Sequence, residues 1–392
     1  MAKRVGIEVS IAVAEAARLA DVDVIPAYPI TPQTHIVEHL SEFVANGELD
    51  AEFIPVESEH AAMSGCCGSS AAGARTFTSS SSQGLSLMSE ILYHPGPMRL
   101  PIVMVVANRA LAAPISIWND HQDIMVQRDI GWIQTFAENG QEAFDLTLHA
   151  FRVAEDRKVL LPIIVNIDGF TLSHVIEPIE ILSKEEVDKY LPPFKPRFRL
   201  DTKKPMSMGP VGVPEVYTEA KVAHNEALKA SKKVVIQAWK EFADLFGRQY
   251  NPVETYRSED AEVILVTMGS ISETAMTAVD AMRDAGQKVG LVRIRLWRPF
   301  PGLEFKKAAG KAQVLAVIDR CLPPGAVCGP VGEELRSLFY KVPGAPKIFS
   351  FVAGLGGRDV TVDRFTEIVE KARAYAKRRP VEIYEVIGVR EQ

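Results

Sequence analysis

Two polar side chains lie directly after apolar runs, where they could take part in chemistry. Thr31 lies in the segment 28–32 (YPITP) after one run, and Glu59 lies in the segment 56–60 (VESEH) after the next. Both runs have the length and composition of β-strands. Polar groups at the ends of neighbouring strands commonly meet in one site. The sequence therefore predicts half of an active site, with a hydroxyl and a carboxyl group.

The surroundings of Glu59 favour a buried carboxyl group. Residues 60–74, which follow it, are rich in Ala, Gly and Ser. Small residues allow the backbone to approach a sheet or a ligand closely. A carboxyl group against such a surface is partly desolvated, which favours its protonated, hydrogen-bond-donating form. The alternative is a solvated charge at a helix amino terminus, where the helix dipole favours acidic side chains.

Three further polar segments could line a ligand site. Arg109 follows the apolar run 101–107, at the strand edge where α/β folds bind anions, although a surface ion pair is the alternative. The tract 76–85 (TFTSSSSQGL) is either a flexible linker or a hydroxyl-lined ligand loop. The polar run 118–123 (WNDHQD) either lines a cleft or forms an Asx turn.

Several common site classes have no anchor in this sequence. There is no P-loop, zinc-hydrolase or serine-hydrolase motif, and residues 354–359 (GLGGRD) fail the G-x-G-x-x-G spacing. A turn near a domain interface explains residues 354–359 better. The four cysteines, Cys66, Cys67, Cys321 and Cys328, form no C-x-x-C pair, so we expect free, mostly buried thiols and no metal or cluster site on this chain.

Length and charge limit the function further. A chain of 392 residues predicts two or three domains. The net charge of −6 argues against nucleic-acid binding. No apolar run is long enough to span a bilayer, and no secretory signal precedes residue 8. A cytoplasmic location without membrane contact is the expectation.

The apolar pattern predicts an α/β fold in two separate parts. In the first part, predicted strands span residues 22–28, 51–56, 75–78, 101–107 and 160–167, and predicted helices span 8–19, 34–45 and 141–155. In the second part, predicted strands span 263–268, 288–294, 314–318 and 348–352, and predicted helices span 272–285, 333–340 and 362–378. Between them lie a proline-rich connection and a long helix, 217–246, ended by Gly247. We predict domains at 1–175 and 256–392, joined by a surface linker at 176–255.

Together these motifs resemble the alpha subunits of 2-oxoacid:ferredoxin oxidoreductases, and within them those acting on pyruvate. The resemblance rests on residues 28–32, 58–61, 82–85, 108–111 and 118–123. Residues 168–170, 298–301 and 354–357 extend it over nearly the whole chain. One departure is Gly6-Ile7-Glu8-Val9, where the family often has Gly-Asn-Glu-Ala, which leaves open what that turn contacts.

The resemblance implies the fold, the cofactors and the partners. The first domain would be the pyrimidine-binding domain of a thiamine diphosphate enzyme, and the last would resemble the transketolase C-terminal domain. Thiamine diphosphate would be shared with a beta subunit that holds its diphosphate and Mg²⁺, and [4Fe-4S] clusters would lie on beta and delta subunits. A gamma subunit would complete a heterotetramer that uses coenzyme A and reduces ferredoxin. The sequence agrees, because Asp168-Gly169 lacks the leading Gly and downstream asparagines of a diphosphate motif.

The resemblance also gives the matched residues their roles. Glu59 would donate to N1′ of the aminopyrimidine, and Arg109 and Thr31 would bind the substrate carboxylate. These three are the expected catalytic residues, and no metal ligand is expected on this chain. The expected cofactor contacts are Tyr28, Pro29, Ile30, Glu59, Ser82 and Gln83.

Pyruvate is the expected substrate, converted reversibly with coenzyme A to acetyl-CoA and CO₂. Neutral Thr31 suits a monocarboxylate, whereas an oxalate-specific relative would be expected to carry a second cation here. A branched-chain 2-oxoacid, 2-oxoglutarate or oxalate remains an alternative substrate within the family. A non-catalytic scaffold with a degenerate cofactor pocket is the alternative from another class.

Overall fold

The computed structural model describes residues 3–378 and 384–390. Its strands are β1 Lys3–Glu8, β2 Val24–Ala27, β3 Glu52–Pro55, β4 Phe77–Ser80, β5 Val103–Asn108, β6 Ile133–Phe136, β7 Ile163–Asp168, β8 Ile176–Ile181, β9 Val253–Tyr256, β10 Val263–Thr267, β11 Val289–Ile294, β12 Leu296–Arg298, β13 Val314–Asp319, β14 Lys347–Val352 and β15 Tyr384–Val386. The α/β class predicted from the sequence is confirmed.

Helices alternate with these strands, as expected of an α/β fold. They are α1 Val9–Leu19, α2 Thr34–Ala45, α3 Glu59–Ala72, α4 Ser82–Leu87, α5 Ser89–Leu92, α6 Pro95–Met98, α7 Gln122–Met125, α8 Gly140–Ala154, α9 Lys184–Tyr190, α10 Pro214–Phe246, α11 Ile271–Asp284, α12 Gly302–Ala309, α13 Pro330–Leu338 and α14 Val362–Lys377. Within the described residues, no helix is both long and apolar enough to cross a bilayer.

The first part of the chain is built on a sheet of order β12-β6-β7-β5-β4. Strands β4 to β7 pair in parallel, and β12 joins antiparallel to β6. All residues of β5 and β7 are buried, as expected of central parallel strands with both faces covered. Strands β2 and β3 form a separate parallel pair, connected to the start of β4 by a bridge between Val24 and Thr76. The carboxyl ends of β2, β3, β4 and β5 therefore lie on the same side of neighbouring strands.

The second part is a six-stranded sheet of order β15-β14-β13-β10-β11-β9. All its pairings are parallel except that of the edge strand β9. Its core includes Phe351 and Phe365, packed among α11, α14 and the sheet. Strand β12 leaves this part of the chain to pair with β6, so that the two sheets are connected by main-chain hydrogen bonds.

Two predicted elements differ from the observed ones. The strand expected at 75–78 lies at Phe77–Ser80, and Ser82 then begins α4; the serine tract is thus a strand end and a helix start, and neither a linker nor a loop. The connection expected from residue 175 begins with β8, which pairs antiparallel with β1. Pro178 lies opposite Gly6 in this pair. An edge strand tolerates a proline. In the sequence, however, a proline argues against a strand, so the apolar pattern does not predict β8.

The long helix predicted before Gly247 is confirmed as α10, with Gly247 in the left-handed conformation at its end (φ 74°). Its second half does not merely cross the surface. Trp239 and Phe242 are fully buried in the first core, and the ring of Trp239 stacks on His149 of α8 at 4.8 Å between centroids. The domain boundaries stay a prediction, but this half of α10 packs as part of the first core.

A buried charge cluster joins the two parts. Asp168, at the end of β7, accepts from His121 Nε2 at 2.7 Å and from the backbone N–H of Ser270 and the guanidinium of Arg320 at 2.9 and 3.0 Å. Arg320 also donates to the side chain of Asn119. Burial alone would raise the pKa of the Asp168 carboxyl, but Arg320 and His121 hold that pKa well below its usual range. The carboxylate is therefore charged and fully partnered.

We expect Arg320→Met to destabilise the protein strongly, because it leaves the Asp168 carboxylate buried with its main counter-charge removed. Breaking a buried pair in this way typically costs ~3–5 kcal/mol. The measurement is the urea midpoint followed by tryptophan fluorescence. Arg257→Met is the matched control, since Arg257 pairs with Asp280 on the exposed surface, where such pairs contribute little. Equal small shifts in both variants would show that the cluster does not stabilise the interface.

Candidate active site

The segment 28–32 after β2 is held by Gln33. The Gln33 side chain is fully buried, donates to the carbonyl of Tyr28 at 2.9 Å and accepts from the hydroxyl of Ser79 in β4 at 2.9 Å. Gln33 thus fixes this turn against the neighbouring strand, with Thr31 exposed on it. The sequence did not single out Gln33, because one polar residue after Pro32 carries no local sign of complete burial.

Arg109, directly after β5, reaches the same turn. Its guanidinium donates to the backbone carbonyls of Thr31 at 2.6 Å and Ser116 at 3.0 Å, and to Oε1 of Gln83 at 3.4 Å. The structure therefore brings Arg109, Thr31 and Gln83 together, as predicted for one site, although Arg109 contacts the Thr31 main chain and not its hydroxyl.

The charge of Arg109 is not neutralised by a neighbouring acid. Arg109 is 6% exposed, and no carboxylate of residues 3–378 or 384–390 forms a salt bridge with its guanidinium. Burial lowers the pKa of Arg109, and the nearby Asp123 charge opposes that shift. The surface ion pair considered from the sequence is excluded. A buried cation with only neutral acceptors suits an anionic ligand.

Asp123 fixes the two segments that carry these groups. Its Oδ2 accepts from the backbone N–H groups of Ser82 at 2.9 Å and Arg109 at 3.0 Å. Its Oδ1 accepts from Asn108 Nδ2 at 3.1 Å and from Ile124 N–H at 2.8 Å. Complete burial raises the pKa of Asp123 to about 6, against the effect of these hydrogen bonds. The polarity of the run 118–123 indicates a cleft or an Asx turn, but it does not predict this role of Asp123.

Ser82 and Gln83, the predicted cofactor contacts in α4, hydrogen-bond to residues that directly follow β5. Ser82 has a left-handed backbone (φ 47°), and its hydroxyl lies 2.6 Å from both the carbonyl of Ala110 and Oε1 of Gln83. The hydroxyl of Ser82 therefore has an acceptor within the chain. Gln83 accepts a hydrogen bond from Arg109. Gly84, which follows Gln83 in the chain, packs on Glu59.

Glu59 is buried at the start of α3. Ser58 caps this helix by accepting from the Ala61 N–H at 3.2 Å, and Glu59 itself is 6% exposed. The solvated charge considered from the sequence is thus excluded. A β-carbon at Gly84 would lie 2.5 Å from Oε1 of Glu59 and 2.7 Å from the hydroxyl of Ser80. Glycine at position 84 is what leaves room for the carboxyl group.

Polar atoms around Glu59 lack partners within the chain. The buried hydroxyls of Ser80 and Ser81 have no hydrogen-bond partner in the described part of the chain. No side-chain hydrogen bond of Glu59 is formed there either. Buried polar groups are normally paired, so an unpaired cluster calls for an explanation such as an absent ligand. The Glu59 carboxyl and the Ser80 hydroxyl beside Gly84 could therefore hydrogen-bond to a polar group of a ligand.

The remaining predicted contacts lie on the outer side of the turn. Tyr28 is 36% exposed, Pro29 is exposed and Ile30 is half-buried. Their side chains are free to contact a ligand or a second chain. The structure thus places all the predicted site residues on the ends of β2, β4 and β5 and the start of α3.

The polar run 118–123 and the glycine turn 354–357 meet at the contact between the two parts. The Gly357 N–H donates to the carbonyl of Asn119 at 2.7 Å, and the Gly356 N–H donates to Asp120 at 3.2 Å. A β-carbon on Gly357 would come within 2.6 Å of the Trp118 side chain. The prediction of a turn at a domain interface is confirmed. Both oxygens of Asp168 accept hydrogen bonds at this contact.

Comparisons with known families agree with this geometry. The family model "Pyruvate flavodoxin/ferredoxin oxidoreductase, thiamine diP-bdg" matches residues 15–240, and "Pyruvate:ferredoxin oxidoreductase core domain II" matches residues 261–365. "Pyruvate synthase subunit PorA" of Methanothermobacter thermautotrophicus is 51% identical over 360 residues, which cover 92% of this chain and 93% of the relative. "Ketoisovalerate oxidoreductase subunit VorA" of Pyrococcus horikoshii is 44% identical over 361 residues, with 92% and 91% covered.

Solved structures share the fold. The 2-oxoglutarate:ferredoxin oxidoreductase from Magnetococcus marinus, with 2-oxoglutarate, coenzyme A and succinyl-CoA bound, matches with a TM-score of 0.68 at 18% identity. That match covers 94% of this chain but 65% of the solved chain. A split-gene transketolase, described as an inactive beta4 tetramer, matches with a TM-score of 0.55 at 12% identity over 94% of this chain and 99% of its own. The chain belongs to the pyruvate:ferredoxin oxidoreductase family, and its first part matches that family's thiamine diphosphate-binding domain.

Proposed function

We propose that this chain is the alpha subunit of a thiamine diphosphate-dependent 2-oxoacid:ferredoxin oxidoreductase that acts on pyruvate. With coenzyme A it yields acetyl-CoA and CO₂ and reduces ferredoxin, reversibly, in the cytoplasm. Beta, gamma and delta subunits complete the complex and hold Mg²⁺ and the [4Fe-4S] clusters. The observation that carries the proposal is the buried Glu59 carboxyl, which lies against Gly84 without a partner in the described residues.

The residues present fit the pyrimidine end of the cofactor. Glu59 would hold and exchange a proton with a ring nitrogen, which is general acid–base work for a carboxyl group kept from water. The unpartnered hydroxyl of Ser80 lies on the same side of Gly84 as the Glu59 carboxyl. When bound, thiamine diphosphate supplies a carbon nucleophile and an electron sink. Further contacts would come from Tyr28, Pro29, Ile30, Ser82 and Gln83.

Arg109 and Thr31 would bind the substrate carboxylate. The carbonyls of Thr31 and Ser116 orient the Arg109 guanidinium, so that it needs little reorganisation to receive an anion. Decarboxylation removes negative charge from the carboxylate. Arg109 must therefore hold the substrate no more tightly than the transition state, or it would slow the reaction.

A branched-chain 2-oxoacid is the second candidate substrate, since the ketoisovalerate oxidoreductase relative is 44% identical. The expected result is a kcat/KM for pyruvate at least about 10–200-fold above that for 2-oxoisovalerate, since that is the range for one extra methylene in an apolar pocket and 2-oxoisovalerate is larger by more than that. Dye reduction by the assembled complex with each acid measures this. Faster turnover of oxalate would contradict a substrate site with neutral Thr31, and faster turnover of 2-oxoisovalerate would favour the second candidate.

Glu59→Ala tests catalysis against a scaffold role. In the assembled complex, loss of the acid–base group should lower kcat on the order of 10²–10⁴-fold, with the subunit composition unchanged by size-exclusion chromatography. Gly84→Ala should weaken the same step, because its β-carbon would lie 2.5 Å from the carboxyl oxygen. Gly68→Ala is the matched control, since nothing lies within 4 Å of its β-carbon. Unchanged turnover in Glu59→Ala would establish a scaffold.

Asp123→Asn should lower kcat/KM and remove a pH effect. The amide NH₂ of the variant would face either the Ser82 and Arg109 N–H groups or Asn108 Nδ2 and the Ile124 N–H. Leaving such buried donors unpaired costs ~1–3 kcal/mol each, so a loss of about tenfold or more is expected. In the wild type, kcat/KM should fall as the pH drops through about 6, because protonation turns an accepting oxygen into a donor. Above that pH the carboxylate accepts all four bonds.

The pH profile of the variant decides this assignment. Asp123→Asn should lack the acid limb, whereas Asp129→Asn, a change at a side chain that is 73% exposed, should keep it. An acid limb that persists unchanged in Asp123→Asn would assign the titration to another group.

A further inference from the structure

Three side chains with metal-binding atoms meet beside the first strand, away from the groups used above. They are Glu8 at the end of β1, His35 in the first turn of α2, and His174 in the turn between β7 and β8. One ligand atom of each lies within 4.8 Å of the other two. We propose that Glu8, His35 and His174 bind one divalent transition-metal ion of the zinc type. No local motif predicts this site, because its ligands lie far apart along the chain.

The donor set suits such an ion. One carboxylate and two imidazoles, with water in a fourth position, is a common coordination of Zn²⁺, whereas Mg²⁺ and Ca²⁺ prefer oxygen ligands alone. Ligands at about 2.1 Å from a tetrahedral ion lie ~3.4 Å apart. The observed separations include 2.7 Å between His35 Nδ1 and Glu8 Oε1 and reach at most 4.8 Å. Side-chain adjustments below 1.5 Å therefore suffice, with the ion replacing the shared proton.

Neighbouring groups orient the imidazoles. His174 Nδ1 lies 2.7 Å from the hydroxyl of Ser173, which also accepts from the Phe170 N–H at 2.9 Å. This contact occupies Nδ1 and leaves Nε2 as the ring nitrogen available to an ion, as hydrogen bonds behind metal ligands commonly do. The His35 and His174 rings pack at 4.6 Å between centroids, and Phe170 packs on His174 at 4.3 Å. All three ligand residues are half-buried, so that an ion can enter from solvent.

The site would brace the substrate side of the pocket. His35 follows the 28–32 turn by three residues. Phe170 packs on Trp118 at 4.9 Å, close in sequence to Ser116, whose carbonyl orients Arg109. An ion at Glu8, His35 and His174 would thus connect the first strand, α2 and the loop after β7. This role is structural, and it does not depend on the proposed reaction.

Zinc titration of the full chain tests the site. After chelation and under reducing conditions, calorimetry should show one Zn²⁺ per chain, and Co²⁺ should give the visible absorption of a tetrahedral complex. A Cys67→Ser background removes the one half-buried thiol. In that background Glu8→Gln, His35→Gln and His174→Gln should each weaken Zn²⁺ binding at least tenfold.

His39→Gln is the matched control. His39 also pairs with a glutamate, Glu42, at 3.1 Å and lies on the same helix as His35, but the proposed site has no place for it, so its loss should leave the affinity unchanged. Zn²⁺ should raise the melting temperature of the wild type and of His39→Gln, but not of His35→Gln, because only a bound ligand stabilises the folded state. Binding of less than about half an ion per wild-type chain, or equal weakening by His39→Gln and His35→Gln, would overturn the proposal.

Discussion

The buried carboxylate of Asp123 holds in place the two segments that carry Ser82 and Arg109. Its Oδ2 accepts from the N–H groups of Ser82 and Arg109, which follow two different strands, β4 and β5. A buried carboxylate is costly unless its oxygens accept hydrogen bonds, and here four donors satisfy it. Asp123 Oδ2 therefore sets the spacing between the start of α4 and the end of β5. Gly84 at the start of α4 faces Glu59, and Arg109 after β5 contacts the 28–32 turn.

The parts of the site that could be predicted are those governed by local pattern. Thr31, Glu59 and Arg109 each follow an apolar run, and parallel strands bring their carboxyl ends to one edge. Gln33 and Asp123 could not be predicted, because their roles depend on contacts with Ser79 and Ser82, 46 and 41 residues away. Nothing in the adjacent sequence distinguishes such a buried polar residue from an exposed one.

The same distinction applies to the fold. Central strands such as β5 and β7 are mostly apolar runs, so the sequence predicts them directly. Strand β8 alternates isoleucine with glutamate around Pro178 and forms only because β1, from the other end of the domain, offers it an edge. Helix α10 was predicted from its composition, but which of its faces is buried depends on α8, where the ring of His149 meets Trp239. Periodicity identifies an element more readily than its partner.

Asp168 and Glu59 are two acidic residues with contrasting surroundings. Both are acidic residues buried near strand ends. Asp168 has partners in His121, Ser270 and Arg320, which connect the two parts of the chain. Within the described residues Glu59 has no such partners, and the nearby hydroxyl of Ser80 is also unpaired. A fold keeps unpaired buried groups at a cost in free energy. A ligand that supplies the missing partners would offset that cost, which is the reason for proposing Glu59 as part of an active half-site.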